Sequence, residues 1–154
     1  MNKLIEILKI AEIHAVRINN ARTQLSNLFP ISATKVQTLS EHDFLLIELL
    51  TNRFAKLQDL IGTKLVNAFL EEKGETFENI TMIDKINKLE KLGLLSDANI
   101  WLEMRTLRNH LTHEYPDHPE ITAHLLNQLF TMVPQLLSLF ENLKKGSNFS
   151  LITK

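Results

Sequence analysis

The chain has no cysteine, which excludes disulfides, iron–sulfur clusters and thiolate zinc sites. Glycine and proline number four each in 154 residues, so turns are few and the elements between them are long. Aromatic residues make up only 6% while Leu and Ile are abundant, a balance that favours helices over a β-sandwich or barrel. Neither sign of charge dominates. Seventeen Lys and Arg stand against 18 Asp and Glu, so no global basic field exists to gather nucleic acid, and any RNA contact has to be local or shared between subunits. No stretch approaches the roughly 20 apolar residues of a membrane span. Charges at Lys3, Glu6, Lys9 and Glu12 interrupt the first apolar residues, unlike a signal peptide, and the expectation is a cytoplasmic protein.

What is present is helical periodicity. Leu4, Ile5, Leu8, Ala11, Ile13, Val16 and Ile18 predict a first helix over about 2–25. Pro30 and several Ser and Thr residues then make 26–39 the longest connection, with Phe29, Ile31 and Val36 packing as loop residues or covering a partner surface. Ser40 is placed to cap a second helix over 41–72, carrying Phe44, Ile47, Leu50, Phe54, Leu57, Ile61, Leu65 and Phe69. Gly62 within it marks a close helix contact, and Gly74 ends it. A third helix is expected over 77–92, closed by Gly93, and a fourth, capped at Ser96 or Asp97, over 98–113. Pro119 opens a fifth that runs to 145 with a possible kink at Pro134. The expectation is one all-α domain over 1–145, an antiparallel bundle of about five helices, with a frayed tail over 146–154.

Against this background of ordinary core, the segment Arg108-Asn109-His110-Leu111-Thr112-His113-Glu114-Tyr115, closed by Pro116, concentrates chemical side chains. A guanidinium can grip a phosphate through two parallel hydrogen bonds, and an imidazole moves protons near neutral pH. The pair suits chemistry at a phosphodiester. At about 100° per residue, Arg108 and Tyr115 share a face while His113 points roughly 140° away, so a straight helix cannot converge all three. Pro116 disfavours helical geometry at Tyr115 and should loosen the turn near His113. A two-fold dimer offers a second route to convergence. The negative end of the helix favours a protonated His113.

Arg108, Asn109, His113 and Tyr115 together give Arg-Asn-x-x-x-His-x-Tyr, which resembles the signature of the HEPN superfamily and most closely the HepT-like toxins of MNT–HEPN toxin–antitoxin pairs. The run Arg53-Phe54-Ala55-Lys56-Leu57-Gln58-Asp59 is also similar. The resemblance implies a homodimeric, metal-independent endoribonuclease needing no cofactor. Arg108 and His113 would be catalytic, activating the ribose 2′-hydroxyl and leaving 2′,3′-cyclic phosphate ends, with Asn109 positioning the scissile group. It further implies a nucleotidyltransferase antitoxin as partner, with Tyr115 as the acceptor of AMP. The alternative is a non-catalytic substrate-binding or regulatory partner of such a transferase.

Other residues carry weaker signals. Arg105, one turn before Arg108, extends a phosphate track or pairs with a nearby acid, and His110 is a further candidate for RNA contact. His110 and His113 have the i, i+3 spacing of some bundle metal sites, but the inward glutamates such sites need are missing from the pattern. His118 and His124 read as solvated surface, and His14 and His42 carry no pattern. Trp101 falls on the core spacing of Met104 and Leu111, which makes it core or interface.

Overall fold

The computed structural model describes residues 3–75 and 80–147, and among these every regular element is helical. The helices are α1 (Lys3–Leu25), α2 (Ala33–Gln37), α3 (Glu41–Leu60), α4 (Val66–Glu72), α5 (Met82–Lys91), α6 (Ala98–Leu111) and α7 (Pro119–Gly146). A π turn over Ile61–Leu65 joins α3 to α4, so the expected second helix exists as one rod with a wider turn inside it. Among the described residues, no helix is long and apolar enough to cross a membrane.

Local chemistry explains most boundaries. The Ser40 hydroxyl accepts from the Asp43 amide at 3.1 Å and starts α3, and the Asp97 carboxylate starts α6 by accepting from Asn99. Gly74 and Gly93 adopt φ of 75° and 78°, a conformation that only glycine takes without strain. Each ends its helix with paired bonds back to the last turn: Glu75 to Leu70 and Gly74 to Glu71, Leu94 to Leu89 and Gly93 to Glu90. The third expected helix starts later than its apolar run suggested. Thr81 and Asp84 form a reciprocal capping box, which places Ile80 and Thr81 outside the helix, and 77–79 lie outside the described residues. The tail boundary also moves, because Gly146 belongs to α7 and Ser147 caps it; 148–154 lie outside the described residues. Pro134 sits within α7 without ending it.

The long connection is built rather than loose. It contains a 3-10 turn over Ser26–Leu28 and the short α2, which Ser32 caps. Phe29 stacks on Phe130 of α7 at 4.3 Å, with the Arg22 guanidinium over the same ring at 4.0 Å. Ile31 is buried, and its amide and carbonyl both bond the Asn127 side chain, at 2.7 and 3.0 Å. Packing onto α7 is thus the role of Phe29 and Ile31.

The core is centred on Trp101, Phe54, Phe69 and Phe140, surrounded by Leu and Ile from α1, α3, α6 and α7. Helix α7 runs antiparallel to α1, since Arg22 bonds the Phe130 carbonyl while Glu12 pairs with Lys144. Gly62 lies in the π turn against Trp101, where an added Cβ would stand 2.9 Å from the indole. The close contact expected at this glycine is therefore a contact with α6, and it holds the motif helix against the α3 rod.

Between α1 and α3, Arg53 Nη1 donates to His14 Nδ1 at 3.0 Å, so the imidazole is neutral with its proton on Nε2. Burial first, then the charges of Arg53 and Lys56, pull the His14 pKa below its ordinary 6.5. The unfolded chain takes up a proton at this group more readily than the folded one. Stability from this group is therefore full above about pH 6.5 and is lost as pH falls through the depressed folded value. Urea midpoints measured across this window should fall more steeply for the wild type than for His14→Gln. Parallel curves would show that His14 contributes nothing.

Candidate active site at the end of α6

The motif straddles a helix end. Helix α6 closes at Leu111, two residues before the expected limit, with Thr112 as its cap. The Thr112 amide and hydroxyl both return to the Asn109 carbonyl, at 3.4 and 2.7 Å, and the His113 amide returns to the His110 carbonyl at 3.1 Å. His113 therefore leaves the helical path, as the proline three residues later suggested. Arg108 and Asn109 remain in the last helical turn.

Arg108 is clamped by a residue distant in sequence. Its Nε donates to Asp59 Oδ1 at 3.0 Å and its Nη2 to Oδ2 at 2.7 Å, a two-point bond between α6 and the end of α3. Hydrogen bonding to Asp59 raises the Arg108 pKa above its ordinary value, so this cation is permanent. The bond uses one edge of the guanidinium, leaving the Nη1 protons directed away from Asp59. Asp59 thus fixes the plane in which Arg108 can meet an incoming anion. Both side chains remain partly exposed, 27% and 46%, so solvent screens the pair. Asp59→Asn should consequently shift the unfolding free energy by no more than about 1 kcal/mol. A loss of several kcal/mol in chemical denaturation would show the pair to be a structural clamp.

His113 is exposed and lines a cleft of about 500 Å³ between α2, the start of α3 and the α6–α7 turn. Tyr115 lines the same cleft, opposite the apolar side chains of Val36, Leu39 and Phe44, with Glu48 and Thr51 also in the lining. The tyrosine is half-buried against the core and also lines a second cleft, about 840 Å³, that contains His110 and His124. The phenol accordingly stands between two clefts on neighbouring faces. Arg108 lines neither of them. Within one chain, then, His113 and Tyr115 line one cleft, while Arg108 is bound to Asp59 and lines neither cleft.

Asn109 is exposed in the last turn of α6. Arg105 is exposed one turn earlier and lines a third cleft that includes Trp101, which is itself fully in the core. His118 pairs with Glu120 at the surface, at 3.2 Å. Among the described residues no three His, Asp or Glu side chains are close enough to share a metal ion.

Asp59 is the participant that reading the sequence left without a role. It lies 49 residues from Arg108, and no local pattern links the two. Comparison with known protein families, with curated proteins and with solved structures returns no match for this chain.

Proposed function

We propose that this chain is a HEPN-type, metal-independent endoribonuclease that acts as the toxin of a toxin–antitoxin pair and is neutralised by a nucleotidyltransferase. The observation that carries the reading is the end of α6, where a permanently charged Arg108, plane-fixed by Asp59, is followed five residues later by an exposed His113 that shares a cleft with Tyr115. A fixed cation matches the charge that builds on a phosphorane, and a solvent-facing imidazole is suited to take the 2′-hydroxyl proton or to protonate the leaving 5′-oxygen. Attack of the 2′-oxygen on phosphorus breaks the P–O5′ bond and leaves a 2′,3′-cyclic phosphate without consuming water. Because Arg108 is bound to Asp59 and does not line the cleft of His113, the reading assembles the two across a two-fold homodimer, with one subunit's Arg108 opposite the other's His113.

Tyr115 gives the site a means of inactivation. An AMP group on the phenol adds an anion and a bulky base at the cleft that His113 lines, excluding RNA by charge and by volume. Co-expression with a small nucleotidyltransferase from the same locus is expected to abolish toxicity and to add the mass of one or more AMP units, mapped by peptide mass spectrometry to Tyr115. Full neutralisation of Tyr115→Phe through AMP on another residue would reject Tyr115 as the acceptor.

The second reading, a non-catalytic partner of a nucleotidyltransferase, draws on the same clefts, since they bind without chemistry if Arg108 and His113 never converge. Expression of the wild type and of a folded His113→Ala separates the two. Toxicity lost in the variant supports the nuclease, and the same growth with either chain supports the binding partner.

A further inference from the structure

The third cleft, about 510 Å³, lies where the π turn meets α5 and α6, on a part of the molecule that the Arg108–His113 chemistry does not use. A π turn widens a helix and disturbs its regular bonding, and such turns concentrate at functional sites. Here it includes Gly62, whose missing side chain lets the Trp101 indole lie against the helix.

Three features of the lining point to one ligand chemistry. The first is polar and unsatisfied: the Trp101 indole Nε1–H and the Asn67 Oδ1 are both buried without a hydrogen-bond partner in the chain. One is a donor and the other an acceptor, so they ask for a ligand edge that presents both an acceptor and a donor. The second is apolar. Met82, Ile83 and Leu102 line the cleft, and Ile83 and Leu102 are 47% and 40% exposed, large apolar side chains left without cover. Flat heterocycles lie well between such groups. The third is charge: Arg105 lines the same cleft and is exposed, ready for an anion.

We propose that this cleft is a binding site for a nucleotide unit, with the base between the apolar side chains and its polar edge toward Asn67 and Trp101, and the phosphate on Arg105. Both polar atoms are buried, so binding under this proposal requires that the lining open locally for the base edge to reach them, and the exposed Ile83 and Leu102 are the side chains assigned to that movement. A bare phosphate uses only Arg105 and a nucleoside lacks the anion, so a nucleoside monophosphate satisfies the whole lining where either part alone does not. The site is independent of RNA cleavage and its test reads binding alone.

Trp101 is the sole tryptophan of the chain, so its fluorescence reports this cleft directly. The full-length protein is titrated with 5′-AMP, 5′-GMP, adenosine, inorganic phosphate and a short oligoribonucleotide, followed by Trp101 emission and by calorimetry. The nucleotides should give a saturable change, adenosine should bind about tenfold more weakly, the worth of one charge-assisted hydrogen bond, and phosphate alone should leave the emission unchanged. Arg105→Ala should bring AMP down to the affinity of adenosine, and Ile83→Glu, at an exposed position, should abolish nucleotide binding in a chain of unchanged circular dichroism. Tighter binding of the oligoribonucleotide than of the mononucleotides supports the site and identifies RNA as the source of the unit, and equal binding supports it with free nucleotide as the source. No saturable signal by either method, or an AMP-to-adenosine ratio untouched in Arg105→Ala, overturns the proposal.

Discussion

His113→Ala is expected to lower RNA cleavage by about 10²–10⁴-fold, the range supplied by one positioned acid or base. The fold should not register the change. His113 is exposed, lies beyond the end of α6 and offers only its backbone amide to the helix, so the melting transition of the variant should match the wild type. This contrast between a large kinetic loss and an unchanged stability separates a chemical role from a structural one. His118→Ala makes the control, because that imidazole is also exposed but pairs only with Glu120. Equal losses in the two variants would mean that the assay reads general surface charge, and full activity in His113→Ala would remove the imidazole from the mechanism.

Gly62→Ala is the substitution of least chemical change with a large expected cost. Its Cβ would stand 2.9 Å from Cζ2 and 3.3 Å from Cη2 of Trp101, closer than carbon atoms pack. Trp101 is among the largest fully buried side chains, so moving the ring disturbs the packing around it. Overpacking of this kind costs about 1–3 kcal/mol, outweighing the roughly 1 kcal/mol that Ala ordinarily gains over Gly inside a helix. The variant should therefore be destabilised in urea, with a shifted Trp101 emission. An unchanged or raised midpoint would show that α6 can draw away from the π turn at no cost.

The parts of this fold that the sequence made legible are those decided within a turn or two. Ser40, Asp97, Gly74 and Gly93 each bond neighbours two or three residues away, and each stands where its residue type leads one to expect. The start of α5 at Met82 was open to the same reasoning, because Thr81 and Asp84 have capping-box spacing. The short α2 is harder, since only Ser32 announces it and the surrounding residues are held by contacts with α7. At the candidate site, the loosened turn before Pro116 followed from backbone restriction. The pairing of Arg108 with Asp59 and of His14 with Arg53 did not, because each joins residues 39 or more positions apart through packing that only the assembled bundle defines.

Under the proposed function, the end of α6 cleaves RNA without a metal. The most direct test is incubation of purified, unmodified protein with RNA in EDTA, with intact mass confirming that Tyr115 carries no AMP and with product ends determined chemically. The expected result is cleavage that persists in EDTA, 2′,3′-cyclic phosphate and 5′-hydroxyl ends, and loss of both products in folded Arg108→Ala and His113→Ala. Cleavage that needs a divalent ion, products with 5′-phosphate ends, or intact RNA across several RNA classes would contradict it.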